Sequence, residues 1–324
     1  MRDVSSMLEQ FQQYMDALDI PASPAGLYGP VRYALSLGGK RMRPLLLMLA
    51  YSIYRDDVEN AFDAACGIEV FHNFTLLHDD VMDKADMRRG MPTVHRKWNE
   101  NTAILSGDGM VLLAYRYLNR VSSENRERVL QIADKAFLEV VEGQQYDMDF
   151  ERRADVTEDE YMEMIRLKTA VLPAAALEAG AVLGGATRHD QESLYRFGEK
   201  MGLAFQLQDD WLDVYGDPGV FGKKTGGDIL CNKKTYLYIK ARNLADCEMN
   251  AEMDRWAEYA GGDDQRKIDA VKGIYDRLEV ECLCREKIVS LFGEAMECVK
   301  SLDADMKRLA VLTDYVSGLI DRKI

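Results

Sequence analysis

Residues 62–90 read FDAACGIEVFHNFTLLHDDVMDKADMRRG, and this stretch decides the fold. Small and apolar residues fill it without the alternation of a strand. The pattern predicts one long buried helix over residues 61–83. That helix closes on a carboxylate cluster, Asp79-Asp80-Val81-Met82-Asp83, with Asp86 just beyond. On a helix the first and last aspartates share a face, because residues four apart are neighbours. Phe74, Leu76 and Leu77 frame the cluster with apolar bulk. Carboxylates held together in such a frame repel one another. Protonation, a basic partner or a cation must relieve them.

A second stretch repeats the device. Residues 205–217, FQLQDDWLDVYGD, carry Asp209, Asp210 and Asp213 behind Phe205 and Leu207, with Asp217 following. A lone DDxxD is commonly a solvated helix face or a cap. Two copies, each set in apolar sequence, point to chemistry instead. Oxygen-only ligands favour a hard cation such as Mg²⁺, which binds through one or two carboxylates, waters and substrate phosphate oxygens. Two facing clusters would clamp a phosphate group through bridging metals.

Outward from these motifs, helical periodicity dominates. Met7, Phe11, Met15 and Leu18 form an amphipathic stripe over residues 3–19. Pro44–Tyr54 is apolar nearly all round and reads as a buried helix. Further helices are expected at 102–120, 126–147, 158–184, 190–215, 234–245, 248–260, 265–275, 278–302 and 304–321. Turn signals fall at Pro21–Pro30, Arg88–Pro92, Gly184–Gly185, Gly216–Gly227 and Gly261–Gly262. The 324 residues contain only 7 prolines and no Pro/Gly/Ser-rich linker, so a single all-α domain over 1–324 is expected.

The net charge is −14 and no basic run occurs, which argues against a nucleic-acid partner. Phosphate-bearing substrates would need a local basic cluster. The six cysteines form no CxxC pair, so a zinc or redox site is not indicated and reduced thiols in the cytoplasm are expected. No segment reads as a membrane span: Pro44–Tyr54 is too short.

Local basic clusters do exist. Gly38-Gly39-Lys40-Arg41-Met42-Arg43-Pro44 leads three cations into the buried helix, and Arg88-Arg89 follows the first acid cluster. Arginine offers a planar fork suited to phosphate, and lysine a point charge. Lys223, Lys224, Lys233 and Lys234 follow the second cluster. Any one such pair is commonly a surface pair; the position beside the acids is what favours a site. His72 lies two turns before the first cluster, as an anion ligand or a satisfied core histidine. His78 adjoins Asp79. No nucleophile–histidine–acid triad and no dinucleotide-binding fingerprint occurs.

These motifs resemble those of the trans-isoprenyl diphosphate synthases. LLHDDVMDKADMRRG is similar to the family's first aspartate-rich motif, FQLQDDWLDVYGD to its second, and GGKRMRP to its isopentenyl diphosphate motif. The resemblance covers nearly the whole chain. It implies the isoprenoid-synthase helical bundle with a deep central apolar pocket, and a homodimer. It implies that Asp79, Asp80, Asp83, Asp209, Asp210 and Asp213 face about three Mg²⁺ ions that hold the allylic diphosphate. The second Asp of either pair and Asp213 can act through water. It implies that Arg88 grips the allylic diphosphate, and that Lys40, Arg43, His72 and Arg89 form the isopentenyl diphosphate pocket. Lys168-Thr169, Gln206, Lys223 and Lys233 match the catalytic polar residues, and Gly143-Gln144 with Asp147 resembles a GQxxD motif. One small departure is Asn232, where the family often has glycine before the second lysine, although some members have Asn-Lys there.

The activity implied is a short-chain prenyl transfer. In that family the residue five before the first motif helps set the pocket floor; the resemblance puts Phe74 there, with Thr75 beside it and Phe71 one turn below. This resembles the geranylgeranyl type; the alternative is a farnesyl diphosphate synthase, and plain core packing of both rings is the bland reading. A class I terpene cyclase would replace the second DDxxD, and a non-catalytic subunit would lose its acid clusters; here both are intact. A purely structural helical protein would show no dependence on magnesium.

Overall fold

The computed structural model describes residues 3–217 and 225–320. Its residues group into two compact units: Met1–Phe137, Ala175–Tyr195 and Leu302–Leu312 form the first, and Leu138–Ala174, Arg196–Ser301 and Thr313–Ile324 the second. In chain order the helices are α1 Val4–Asp16, α2 Ala25–Ser36, α3 Met42–Tyr54, α4 Phe62–Met82, α5 Val94–Lys97, α6 Glu100–Leu118 and α7 Ser123–Glu151. Then follow α8 Glu158–Ile165, α9 Val171–Gly184, α10 Arg188–Tyr215, α11 Gly227–Leu230, α12 Tyr236–Leu244, α13 Cys247–Ala257, α14 Asp264–Arg277, α15 Val280–Cys298 and α16 Met306–Ile320.

In the first unit α3 is buried on all sides, with Leu45 to Met48 fully inaccessible. A helix without a polar face has no solvent side to offer. Phe11 of α1 is equally buried and packs edge-on against Phe62 at the start of α4. The N-terminal half of α4 carries Ala64, Ala65, Cys66 and Gly67, all buried, so small side chains admit its neighbours closely.

The core of the second unit gathers Ala204, Leu207 and Trp211 of α10 with Leu237, Ile274, Tyr275, Cys284 and Ile288. The helix α8 starts on a complete capping box. Thr157 accepts from the Glu160 N–H, while the Glu160 carboxylate takes the Thr157 N–H.

Four local expectations are corrected. Residues 25–36 form a helix, not a turn; Pro30 lies within it at its sixth residue, and Gly26, Gly29 and Pro30 mask its periodicity. Met87–Arg88 and Met91–Pro92 pair as a minimal antiparallel hairpin where only a turn was expected. Within the expected loop 216–227 and just past it, a short helix forms at Gly227–Leu230. The single helix expected over 158–184 is interrupted by a π-turn at Arg166–Ala170. That same segment, Glu158–Gly184, is long and apolar enough to cross a membrane by composition, a match the sequence reading missed. However, 83% of its apolar window is buried inside the protein, as befits a core helix.

Candidate active site

The first acid cluster sits where α4 ends. Asp83 is the C-cap residue, and its N–H bonds to the Asp79 carbonyl at 2.8 Å, so the two share one face. Asp80 points the other way and is buried. The Arg88 guanidinium, carried on the hairpin, grips its carboxylate through Nε at 2.8 Å to both oxygens and through Nη2 at 2.7 Å. Fork-on-carboxylate geometry of this kind is strong and directional. The expected metal-facing residue Asp80 and the expected phosphate grip Arg88 therefore hold one another.

The glycine-rich loop before α3 sorts its three cations. Gly38 and Gly39 lie at φ 73° and 132°, and Arg41 also turns left-handed at φ 46°. That turn drives the Arg41 side chain inward. Its Nη1 pairs with Glu69 of α4 at 2.5 Å, and its Nη2 donates to the Leu35 carbonyl at 2.9 Å. Asn73 donates to the same Glu69 carboxylate at 3.0 Å. Arg41 is thus a buried strut, and Lys40, exposed, and Arg43, half-buried, are the cations presented.

Arg43 Nη1 lies 3.0 Å from His72 Nε2. Arginine can only donate, so Nε2 accepts and the imidazole proton sits on Nδ1. Burial, and then the charges of Arg43, Arg89, Arg88 and Arg41, hold the His72 pKa well below the usual value. The ring is neutral, leaving its Nδ1–H to donate to an anion. Arg89 donates to the Gly38 carbonyl. Gly39 stands at φ 132°, a conformation L side chains rarely adopt, which favours glycine there; a side chain would also come within 2.6 Å of the Arg89 guanidinium and displace it.

Phe71 is buried, meets Phe74 at 5.3 Å and stacks on Phe137 of α7 at 3.5 Å between ring centroids. Phe74 meets the His78 ring edge-on at 4.7 Å. His78 in turn bonds the Ile104 carbonyl at 3.0 Å. Thr75 turns its hydroxyl back onto the His72 carbonyl at 2.8 Å. Two adjacent phenylalanines one turn apart were legible in the sequence; Phe137, which completes the wall, was not.

The second unit builds a polar network on the π-turn. The turn places Lys168 against Asp147 at 2.5 Å, and Thr169 donates to the Gln206 carbonyl oxygen at 3.0 Å. Gln206 Nε2 donates to Asp210 at 3.0 Å, and the Tyr161 hydroxyl donates to the other Asp210 oxygen. π-turns occur frequently at functional sites because they re-aim side chains. This one depends on Gly143 of α7: a methyl there would meet the Lys168 amide nitrogen at 2.3 Å. The GQxxD resemblance thereby gains a physical meaning. Its glycine admits the turn, and its aspartate takes the lysine one helical turn later.

Asp213 accepts from the Asp228 N–H at 3.0 Å, and Lys233 Nζ lies 3.9 Å from the Asp228 carboxylate. A cleft of about 110 Å³ is lined by Lys168, Gln206, Asp210, Asp228 and Lys233, among others. Burial and the nearby Asp228 push Asp210 up to about 8. Burial and Asp213 push Asp228 up to about 6. Tyr161 and Asp228 were missed from sequence. The signals were there: a tyrosine on the apolar face of an acid-rich helix start, and an acid between Gly227 and Ile229. Lys223 lies outside the described residues.

The donor set suits a hard divalent cation. Asp83 and Asp209 are exposed, while Asp80, Asp210 and Asp213 are held by neighbours. Raised carboxylates are crowded acids short of positive charge, which a bound cation supplies. Among the described residues no three His, Cys, Asp or Glu converge as a ready cage.

Helical units bearing aspartates at one helix end and phosphate-matched cations beside them define an all-α enzyme class, the isoprenoid-synthase fold. A solved geranylgeranyl pyrophosphate synthase shares that fold at TM-score 0.94 and 41% identity, covering 100% of both chains. Residues 24–278 match the polyprenyl synthetase family, and the chain belongs to it. The geranylgeranyl diphosphate synthase of Methanosarcina mazei is 46% identical over 221 residues, 67% of this chain and 68% of that protein. The geranylfarnesyl diphosphate synthase of Natronomonas pharaonis is 38% identical over 79% of this chain and 85% of that one.

Proposed function

We propose that this chain is a magnesium-dependent prenyltransferase that condenses isopentenyl diphosphate with an allylic diphosphate and stops at geranylgeranyl diphosphate. The observation that carries this reading is the cation set around His72. Arg43 and Arg89 surround a neutral imidazole two turns before the first acid cluster, an anion site beside a metal site. Family membership supplies the reaction class.

When bound, Mg²⁺ would supply Lewis-acid stabilisation of the leaving diphosphate; Asp79 and Asp83 in the first cluster, and Asp209 in the second, are the carboxylates that would hold such ions. Arg88 keeps Asp80 oriented and offers its remaining edge to the allylic diphosphate. As the allylic C–O bond breaks, the Thr169 hydroxyl, the Gln206 amide and the Lys168 ammonium stabilise the separating charges. Lys40, Arg43, His72 and Arg89 hold isopentenyl diphosphate so that its alkene meets the allylic carbon, and orientation supplies much of the rate. The proton lost from the new intermediate goes to the released diphosphate, so no side-chain base is needed.

The Phe71–Phe74–Phe137 wall supports a geranylgeranyl rather than a longer product. The exposed stripe of Ile104, Leu105 and Leu112 on α6 supports a homodimer, which sedimentation at micromolar concentration tests. Cysteine usage supports the cytoplasm. The assay is incubation with isopentenyl diphosphate and dimethylallyl, geranyl or farnesyl diphosphate, with and without Mg²⁺, followed by sizing of the dephosphorylated products. Magnesium-dependent elongation ending at geranylgeranyl is expected. No elongation by folded protein with any acceptor overturns the reading.

A further inference from the structure

The residue before the second lysine is Asn232, at φ 54°, in the left-handed region where glycine is the usual occupant. It closes α11 as a Schellman turn. The Asn232 N–H bonds to the Ile229 carbonyl at 3.2 Å, and the Lys233 N–H to the Asp228 carbonyl at 2.9 Å. The turn therefore fixes where Lys233 leaves the backbone. Its first residues are tied to the second acid cluster, since the Asp228 N–H holds Asp213.

Asparagine brings to this position what glycine cannot. Its Oδ1 accepts from Lys267 Nζ of α14 at 2.8 Å, and its Nδ2 donates to the Ala257 carbonyl at 3.1 Å, at the end of α13. Lys267 is 6% exposed, an unusual place for an ammonium. It also donates to the Leu230 carbonyl at 3.3 Å, one of the acceptors that the end of α11 leaves without an intrahelical partner. Burial lowers the Lys267 pKa, because desolvation disfavours the charged form. Lys267 and Asn232 lie 35 residues apart in sequence, so no local motif announces the contact.

We infer that Asn232 and Lys267 form a lock that positions Lys233 for the diphosphate. The inference rests on the proposed function, because Lys233 reaches a diphosphate only in that reading. Asn232 and Lys267 are positioning residues: they touch the turn, not the substrate.

Asn232→Gly is the clean test, because glycine adopts φ 54° readily and the variant keeps its Schellman turn. The expected result is a roughly tenfold fall in kcat/KM of the folded protein, from a lysine displaced by a fraction of its reach, together with a lowered melting temperature because Lys267 loses its Asn232 acceptor. In a Lys233→Ala background the same substitution is expected to change kcat/KM by less than about twofold, the non-additivity of residues acting through one another. Lys267→Met repeats the effect, and Lys267→Arg restores part of it. Wild-type elongation with an unaltered Asn232→Gly enzyme overturns the lock, as does an equal loss in both backgrounds. A wild-type chain that elongates nothing overturns the functional reading instead, and the lock's purpose with it.

Discussion

Arg41→Met should destabilise this protein more than any substitution at the neighbouring cations. The Arg41 and Glu69 side chains are 5% and 3% exposed, and their charged atoms meet at 2.5 Å. Methionine fills much of the arginine's volume but leaves Glu69 with the Asn73 amide at 3.0 Å as its remaining side-chain donor. An uncompensated buried carboxylate of this kind costs about 3–5 kcal/mol. At roughly 2–4 °C per kcal/mol that is a fall in melting temperature of about 6–20 °C. The double variant Arg41→Met/Glu69→Leu removes both charges, and its loss should shrink below about 2 kcal/mol. Stability and function then separate. In the double variant the tie to the Leu35 carbonyl is still missing, so the loop carrying Lys40 is loosened and KM for isopentenyl diphosphate stays raised. Thermal unfolding followed by circular dichroism reads the first effect, and initial rates at saturating allylic substrate read the second. An Arg41→Met protein within about 1 kcal/mol of the parent, or a double variant no more stable than the single one, refutes the reasoning.

Three further outcomes follow from the same structure. Gly143→Ala forces a methyl to 2.3 Å from the Lys168 amide nitrogen, so it should cost about 1–3 kcal/mol and lower kcat, while Gly273→Ala, with open space around it, should do neither. Phe74→Ala should lengthen the product beyond geranylgeranyl in a chain-length assay, at less than the ~3–5 kcal/mol of a fully buried phenylalanine, because Phe74 is only half-buried. His72 is held neutral in the fold and protonates in the unfolded chain below the ordinary histidine value of about 6.5. The unfolded state thus binds more protons just below that pH, and stability drops on acidification by up to about 1.4 kcal/mol per pH unit. Denaturation of His72→Asn between pH 7 and 5 should show a shallower slope than the parent, and an identical slope counts against the assignment.

The pKa values of Asp210 and Asp228 place the second acid cluster in a different electrostatic condition from the first. Asp80 has a guanidinium on it, whereas among the described residues Asp210 takes the neutral donors of Tyr161 and Gln206. Neutral hydrogen bonds do not discharge a buried carboxylate. The second cluster therefore gains more from a bound cation than the first, and calorimetric titration with Mg²⁺ should show it in an Asp209→Asn variant that loses the tighter binding.

The helical class and the two acid motifs were legible in the sequence because each is local. A buried helix shows itself by composition, and aspartates four apart share a face whatever surrounds them. The cations of residues 38–44 were equally plain as a group. Their division of labour was not: Arg41 and Arg43 stand two residues apart in one heptapeptide, and a left-handed turn sends the first to Glu69 while the second meets His72. The segment 25–36 misled for the converse reason. Its glycines and proline carry strong local turn signals that packing within the unit overrides. The π-turn that carries Thr169, the Tyr161 hydroxyl on Asp210, the third ring of the aromatic wall and the Lys267 that reaches Asn232 all depend on distant segments. Sequence periodicity reports which face of an element is apolar. Only the tertiary structure decides which partner that face meets, because the partner's identity depends on close approach, and close approach is granted here by single residues such as Gly39 and Gly143.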